Sequence, residues 1–597
     1  MATNKSPIKY TSRDYDSIRT DLVEHAKRYY PDTFKDFNEA SFGALMLDTV
    51  AYVGDILSFY LDYQVNESYF DSAIEFSNVI RLGRQLGYKF QSNPSSYGTV
   101  LIYALVPAKT SGLGPDPAYL PILKKGTEFS STSGNTFILN EDVRFDDPYN
   151  EIVAARTDDA TGLPTSYAVR AYGTIVSGVF GVERKVLGSF ERFRRVKLDT
   201  DGIVEITSVV DTEGNSYYEV DHLSQNTVFK EVVNKGDNKD TVSSLMRPFV
   251  VTRRFVVERD NNSAFLQFGY GSSGEITSPS VADPKNVILD LNGRDYISDI
   301  SFDPYKLLKT DKFGIAPSNT TLTITYRANT AANVNAAAGS VTKIIRPITE
   351  FANRSELTNS TVSGVVSSLE CFNQDPIVGD TTIDNAEEVR RRAIDHFATQ
   401  NRAVTQLDYE SLVYSMPQKF GSVKRCRIIR DPDSLRRNLN LYTISEATNG
   451  KLTETNNTIK ENVRVWLNRY KMISDTIDIL DAKIVNIGIE FEVIASENAN
   501  RYELLNDCTK VLKNMFSISP HIGEPLYITD MLSALNKIDG VVDTKRLSVV
   551  KKTGANYSST RFNMDEALSA DGRYLSVPLN VILELKYPNT DIKGAIS

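Results

Sequence analysis

The sequence is poor in the residues that build metal and covalent chemistry. It has three cysteines in 597 residues, Cys371, Cys426 and Cys508, and no two form a C-x-x-C pair. A disulfide scaffold and a four-cysteine zinc site are thereby excluded, and the usage fits a reducing compartment. The four histidines, at 25, 222, 396 and 521, stand at no metal-ligand spacing from one another. There is no G-x-S-x-G, no P-loop and no H-E-x-x-H. No excess of positive charge is available for nucleic acid: 67 Lys and Arg stand against 76 Asp and Glu, a net charge of −9. Long uncharged apolar runs are also missing. The most apolar stretch, Ala40 to Leu61, is interrupted by Asp48 and Asp55, and a charge at the centre of a spanning helix costs about 2.5–3.5 kcal/mol. Met1 to Tyr10 lacks the charged-then-apolar plan of a signal peptide. The expectation is a soluble chain with no membrane insertion, no nucleic-acid partner, no cofactor and no metal.

What remains is ordinary globular material, 41% hydrophobic and 24% charged. At roughly 150 residues per domain, the length suggests about four domains. The pattern reads as a multidomain α+β chain: an N-terminal long-helix bundle region at 1–95, a β-rich middle at 96–330, a mixed helical and strand region at 331–470, and an α+β module at 471–597.

In the first region Ser12 is placed to cap a helix carrying Tyr15, Ile18, Leu22 and Ala26 at helical spacing, with Pro31 beyond its end. A second helix is expected over about Ala40 to Asn66, and a third near Ile74 to Leu86, closed by Gly87. With Val50 and Leu57 at heptad position a, Met46, Val53 and Tyr60 fall at d, and Asp48, Asp55 and Asp62 all fall at f. The remaining faces are not polar. Leu45, Tyr52 and Phe59 lie at c, and Leu47 and Leu61 at e. Only the Asp line reads as a solvated stripe. Between Asp36 and Ile80 there are eight acidic residues and no Lys or Arg. Such a helix is either the core of a local helical domain with an acidic edge, or a helix packed against helices of other chains. Its apolar perimeter is wide and the local helices are few, which favours the second.

From Tyr97 the period changes to that of strands. Runs at Thr99–Val106, Glu128–Phe129, Thr136–Leu139, Ala168–Val176, Gly202–Val210, Thr227–Val232, Phe249–Val257, Ala264–Phe268 and Thr320–Tyr326 define a β-rich stretch, with room for two sub-domains. Helices return after Pro376: one capped by Asp384 or Asn385 with Val389, Ala393, Ile394 and Phe397 inward, then one opened by a Thr405/Asp408 capping box. The last part reads as β-α-α-β, from Ile484–Ile494 through helices at Asn498–Phe516 and Asp530–Lys537 to Val541–Val550, with Leu579–Leu585 ending the fold.

Gly269, Gly271 and Gly274 match G-x-G-x-x-G, and Asp290 follows at the spacing of a dinucleotide fingerprint. The next residues, EITSPSVADPKN, cannot open the required helix, so the loop reads as a β-turn. His396 reads as a structural histidine. Two basic clusters remain, one containing Arg192, Arg194, Arg195 and Lys197, the other Lys424 and Arg425. They read as charged sheet faces, as a nucleic-acid patch, or as inter-subunit charge patches meeting acidic surfaces on sister subunits.

Several segments resemble one family. SFGALMLDTVAYVGDILSFYLDYQVNESYFDSA (41–73) with NVIRLGRQLGY (78–88), DTEGNSYYEVDHLSQNTVF (211–229), FLQFGYGSSGE (265–275), LTITYRANTAANVNAAAGSV (322–341), and EEVRRRA (387–393) with AVTQLDYESLV (403–413) are similar to the baseplate J-like proteins. The resemblance is strongest to the wedge-ring branch of T-even-type contractile-tailed phages, and it covers most of the chain in order. Ala328-Asn329-Thr330 departs from the pattern, standing where simpler members often have glycines. The resemblance implies a structural subunit of the virion tail baseplate, assembled in the host cytoplasm and without enzymatic activity. It implies pairing with another copy within a wedge, a ring between wedges formed by the C-terminal module, small wedge and hub-proximal partners, and a shape change when the tail fires. It also implies a helical bundle with a longer wedge protein, to which Met46, Val50, Val53, Leu57 and Tyr60 are assigned. The alternative is a tail-associated enzyme degrading envelope or polysaccharide.

Overall fold

The computed structural model describes residues 14–29, 41–90, 94–111, 113–233, 244–260, 263–272, 313–329, 333–381, 386–431, 438–497 and 499–596. The chain is a multidomain α+β protein that separates into two compact units. The first holds residues 1–90 with 383–398, and the second holds 91–382 with 399–597.

The first unit is helical. Helix α1 (Tyr15–Tyr29) opens at Asp14, whose carboxylate accepts from the Ser17 N–H at 3.3 Å. The expected cap, Ser12, lies outside the described residues. Helix α2 (Phe42–Ser68) is capped by Ser41, which accepts from the Ala44 N–H at 3.1 Å. No proline interrupts its 27 residues. Helix α3 (Phe76–Gln85) gives way to Gly87, whose φ of +88° is the left-handed conformation a helix end asks of glycine. Helix α4 (Ala386–Thr399) comes from far along the chain to complete this unit. Ala73, Val79, Tyr88, Val389 and Ala393 form its core. Ile394 and Phe397, expected inward, are instead exposed at 45% and 60%. The inward stripe of α4 is narrower than the sequence pattern suggests, because its next turn carries the half-buried His396, whose ring meets Tyr88 edge-on at 6.0 Å.

The second unit is built on sheets. One sheet pairs Tyr97–Pro107 with Pro164–Ser177 over eleven residues. Thr136–Leu139, Glu128–Ser131 and Val341–Arg346 extend it on one side, Glu370–Phe372 lies at the other edge, and Glu151–Thr157 also pairs with Pro164–Ser177. The strands Val341–Arg346 and Glu370–Phe372 lie beyond residue 330, so this sheet crosses that expected boundary. A second sheet, Val179–Val186, Thr321–Ala328, Ile203–Val210, Ser216–Glu219, Arg254–Asp260, Ser263–Phe268 and Arg195–Lys197, is inserted between strands of the first. The run Phe249–Val257, expected as one strand, is two. Among the described residues Ser244–Val250 pairs only with Thr227–Val233, and Arg254–Asp260 joins the second sheet.

Further along, Arg425–Arg430, Asn438–Glu446, Leu452–Thr453 and Thr476–Asp481 form a sheet covered by helices Gln406–Tyr414 and Asn457–Leu467. The first of these helices opens with the expected capping box: Thr405 Oγ1 accepts from Asp408 N–H at 3.2 Å, and Asp408 Oδ2 accepts from Thr405 N–H at 2.8 Å. The C-terminal module follows the expected β-α-α-β order, through Lys483–Ala495, Arg501–Met515, Ile528–Asn536 and Val541–Lys551. It does not end near Leu585. A further strand, Ile592–Ile596, pairs in parallel with Ile489–Val493 beside Val581–Glu584 on the same edge. Gly594 permits this, since a Cβ there would lie 2.3 Å from the Phe491 ring.

Candidate partner-binding face of the second helix

The contact between α1 and α2 is made by the small residues of α2. Ala44 and Ala51 are buried, and a Cβ on Gly54 would come within 3.3 Å of Ile18 Cδ1. Arg19 reaches across to Asp48, Nε to Oδ1 at 2.5 Å. The Asp line was expected to be a solvated stripe. In the structure Asp48 is ion-paired, and Asp48, Asp55 and Asp62 are all half-buried. The small side chains let α1 approach, so the face that α1 covers is the face that looked most polar.

The apolar faces of α2 are left outward. Met46, Val50, Val53, Leu57 and Tyr60 are between 48% and 62% exposed. Leu45, Tyr52 and Phe59 at position c, and Leu61 at e, are exposed as well. Monomeric proteins rarely leave so continuous an apolar surface in water. The helix is anchored at its C-terminal end. Glu67, buried, accepts from the Ile74 N–H and Asn78 Nδ2, each at 2.8 Å. Burial alone would raise its carboxyl, but these bonds and that from Glu75 N–H outweigh it and hold it below the usual carboxylate range. Arg390 of α4, also buried, donates from Nε to the Phe70 carbonyl at 2.7 Å and from Nη2 to the Ala73 carbonyl at 2.6 Å, and pairs with Glu387. The turn after α2 is therefore fixed by two buried charged side chains that periodicity does not reveal. By length and composition α2 is also apolar enough to cross a membrane, but it carries four carboxylates, Asp48, Asp55, Asp62 and Glu67, and charge within a spanning segment is costly.

The basic clusters are largely engaged within the chain. Arg194 is buried, donates to the Ser189 carbonyl and lies 3.6 Å from Glu191. Arg195 pairs with Glu258 at 3.1 Å and stacks 3.9 Å over the Phe265 ring. Lys424 pairs with Glu446 at 2.7 Å, and buried Arg425 donates from Nη2 to the Ser519 carbonyl at 3.0 Å. Arg192 and Lys197 are exposed.

The glycine loop serves packing. A Cβ on Gly269 would lie 2.2 Å from the Phe313 carbonyl oxygen, and Gly271 donates to the Gly314 carbonyl at 3.0 Å. Gly274 and Asp290 lie outside the described residues. Among the described residues no group of three His, Cys, Asp or Glu side chains is placed to hold a metal. A cleft of about 680 Å³ is lined by polar groups including Lys460, Asp481, Asn486 and Glu584. Two of its carboxylates already hold the fold: Glu584 accepts from the Leu452 N–H and Asn486 Nδ2, each at 2.7 Å, and Asp481 pairs with Lys460 at 2.5 Å.

Residues 14–85 match the family model described as bacteriophage baseplate protein, N-terminal domain. The match supports a baseplate protein. It falls on α1, α2 and α3, and so takes in the exposed face of α2. No curated protein matches the chain. Among solved structures, a chain in a cryo-EM structure of the anti-feeding prophage (AFP) baseplate, 6-fold symmetrised, overlaps 94% of this chain and 89% of its own, at 9% identity and a TM-score of 0.26. A chain in the type VI secretion system TssK-TssF-TssG baseplate subcomplex overlaps 74% and 96%, at 9% identity and a TM-score of 0.23. TM-scores this low describe no common overall arrangement.

Proposed function

We propose that this baseplate protein is a non-enzymatic structural subunit of a phage tail wedge, belonging to the inner ring that links wedges around the hub and rearranges to release sheath contraction. The outer face of α2 packs with helices of partner chains, another copy and a longer wedge protein. The observation that carries this reading is the exposed row Met46, Val50, Val53, Leu57 and Tyr60, along which α2 is covered, among the described residues, on the small-residue side against α1. Burying this row against apolar partners supplies a driving force of about 25 cal/mol per Å².

The test is Leu57→Asp, with native mass spectrometry and co-purification with the other wedge proteins. Leu57 is solvent-facing in the isolated chain, so folding stability should move by no more than about 0.5 kcal/mol. Assembly should fail, because an unpaired carboxylate buried in a bundle costs several kcal/mol. The parent chain is expected as a dimer or larger at micromolar concentration. A strict monomer that binds no wedge protein, or unchanged assembly of Leu57→Asp, would reject the reading.

A further inference from the structure

Residues 179–328 leave the first sheet and return to it at one place. Ser177 ends the strand Pro164–Ser177, Gly178 turns with φ +119°, and Val179 at once pairs with Ala328. The insert thus hangs from a neck one residue wide on the way out, with the return strand beside it. The neck admits no side chain. A Cβ on Gly178 would sit 2.9 Å from the Ala328 carbonyl oxygen, and one on Gly202 2.5 Å from that of Asn329. The apolar core of the insert, with Leu266, Phe268, Leu322 and Ile324 at its centre, shares no residue with the core of the first sheet. Among the described residues, Phe180 is the insert side chain that packs into a neighbouring core.

Besides Phe180, what crosses the neck is polar, and it centres on Arg327. This side chain is 2% exposed. Its Nη1 donates to the Ser177 carbonyl at 2.6 Å and to Ser95 Oγ at 3.0 Å, both on the frame that carries the insert. Its Nη2 lies 3.3 Å from Glu205 Oε2, on the insert's own sheet, and 3.5 Å from the Lys419 carbonyl. One guanidinium is therefore divided between the two bodies. A buried cation must keep hydrogen-bonding partners. This one has a carboxylate on its own side that can retain it when the frame carbonyls are given up. The frame loses more, since the Ser177 carbonyl then needs water.

We propose that the insert 179–328 is a body that turns about the Gly178 neck, and that Arg327 is the latch that holds it in one orientation against Ser177 and Ser95. A latch of this kind gives a two-state element, in which the closed arrangement is dominant and the open one becomes populated when the latch is removed.

The experiment uses the full chain with Thr207→Cys on the insert and Ser363→Cys on the frame, both exposed positions. The three native cysteines are buried, so spin labels go to the engineered sites. Pulsed dipolar spectroscopy should give one narrow distance in the parent. Arg327→Met should add a second, broader population of about one molecule in ten or more, with the far-UV spectrum retained. A distribution in Arg327→Met as narrow as the parent's overturns the proposal. If Arg327→Met does not fold, a urea series on the labelled parent decides. The distance should broaden at a concentration below the loss of tertiary signal, and broadening that coincides with global unfolding overturns it equally.

Discussion

Arg19 Nε and Asp48 Oδ1 stand 2.5 Å apart, and this pair bridges α1 to the side of α2 that heptad phasing marks as farthest from the apolar seam. Both side chains are about one-third exposed, 34% and 32%, so the pair is screened and orients the helices more than it stabilises them. The consequence lies on the opposite side. With α1 seated on the Asp line, the apolar side chains at positions a, d and c from Leu45 to Tyr60 are not covered by the described residues and are left to water or to another molecule.

Packing of the two helices should respond to volume more than to charge. Asp48→Asn is expected to cost no more than about 1 kcal/mol. Ala51→Leu inserts a side chain where a residue with no exposed surface meets α1, and overpacking costs about 1–3 kcal/mol. Urea denaturation followed by a probe in α1 checks both. A larger loss for Asp48→Asn than for Ala51→Leu would mean the ion pair, and not small-residue packing, holds α1.

Arg390 closes the turn after α2 by donating to the Phe70 and Ala73 carbonyls. Arg390→Met keeps the stem and removes the donors. Leaving buried acceptors unpaired costs about 1–3 kcal/mol each. Thermal unfolding should report a loss of that order. Amide exchange should quicken around 72–75 first, since Glu67 binds the Ile74 and Glu75 amides in the same turn.

Gly269 is required by its neighbours' backbone. A methyl group there would meet carbonyl oxygens of Phe313 and Gly314 at 2.2 and 2.3 Å, and neither can rotate away. Gly269→Ala is expected to destabilise by more than about 3 kcal/mol, in the range reserved for strain and broken packing. Nucleotides should not stabilise the parent chain in a thermal-shift assay. A Tm that rises with NAD or ATP would restore a ligand role to the loop.

Much of this was legible in the sequence and some was not, for physical reasons. The bounds of α2, the capping box at Thr405 and the strand at Thr321–Ala328 follow from local signals: period, cap chemistry and alternation. The exposed row of α2 was legible too, because an apolar perimeter wider than any local partner is visible in the residues themselves. The seat of α1 on the Asp line was misread, since polarity outweighed the row of Ala44, Ala51 and Gly54 that allows close approach. Arg327, Glu67 and Arg390 lie in segments that resemble the family, but no period or spacing marked what they do. Their roles depend on carbonyls and amides brought near by the fold, some of them hundreds of residues away. The exposure of Ile394 and Phe397 shows the converse, apolar spacing on a helix that buries only part of its stripe.

Asp380 gives the chain a pH dependence of the opposite sign to that expected from paired carboxylates. Burial pushes its carboxyl up to about 6, and the nearby Glu446 charge adds to this, against the Val334 N–H bond and Lys424. The unfolded value is near 3.8. Between about pH 4 and 6 the folded chain holds a proton that the unfolded chain has released. Stability from this group therefore falls as pH rises through that window and stays reduced at neutral pH, by up to roughly 3 kcal/mol. Asp380→Asn keeps an oxygen for the Val334 N–H, which donates to Asp380 Oδ2 at 2.9 Å, and removes the buried charge. The variant should be more stable than the parent at pH 8, and the difference should shrink to nothing near pH 4. Urea titrations of both proteins at the two pH values measure it. If the variant is the less stable at pH 8, the attraction of Lys424 for the Asp380 carboxylate exceeds the cost of its burial, and the charge stabilises the fold instead of weakening it.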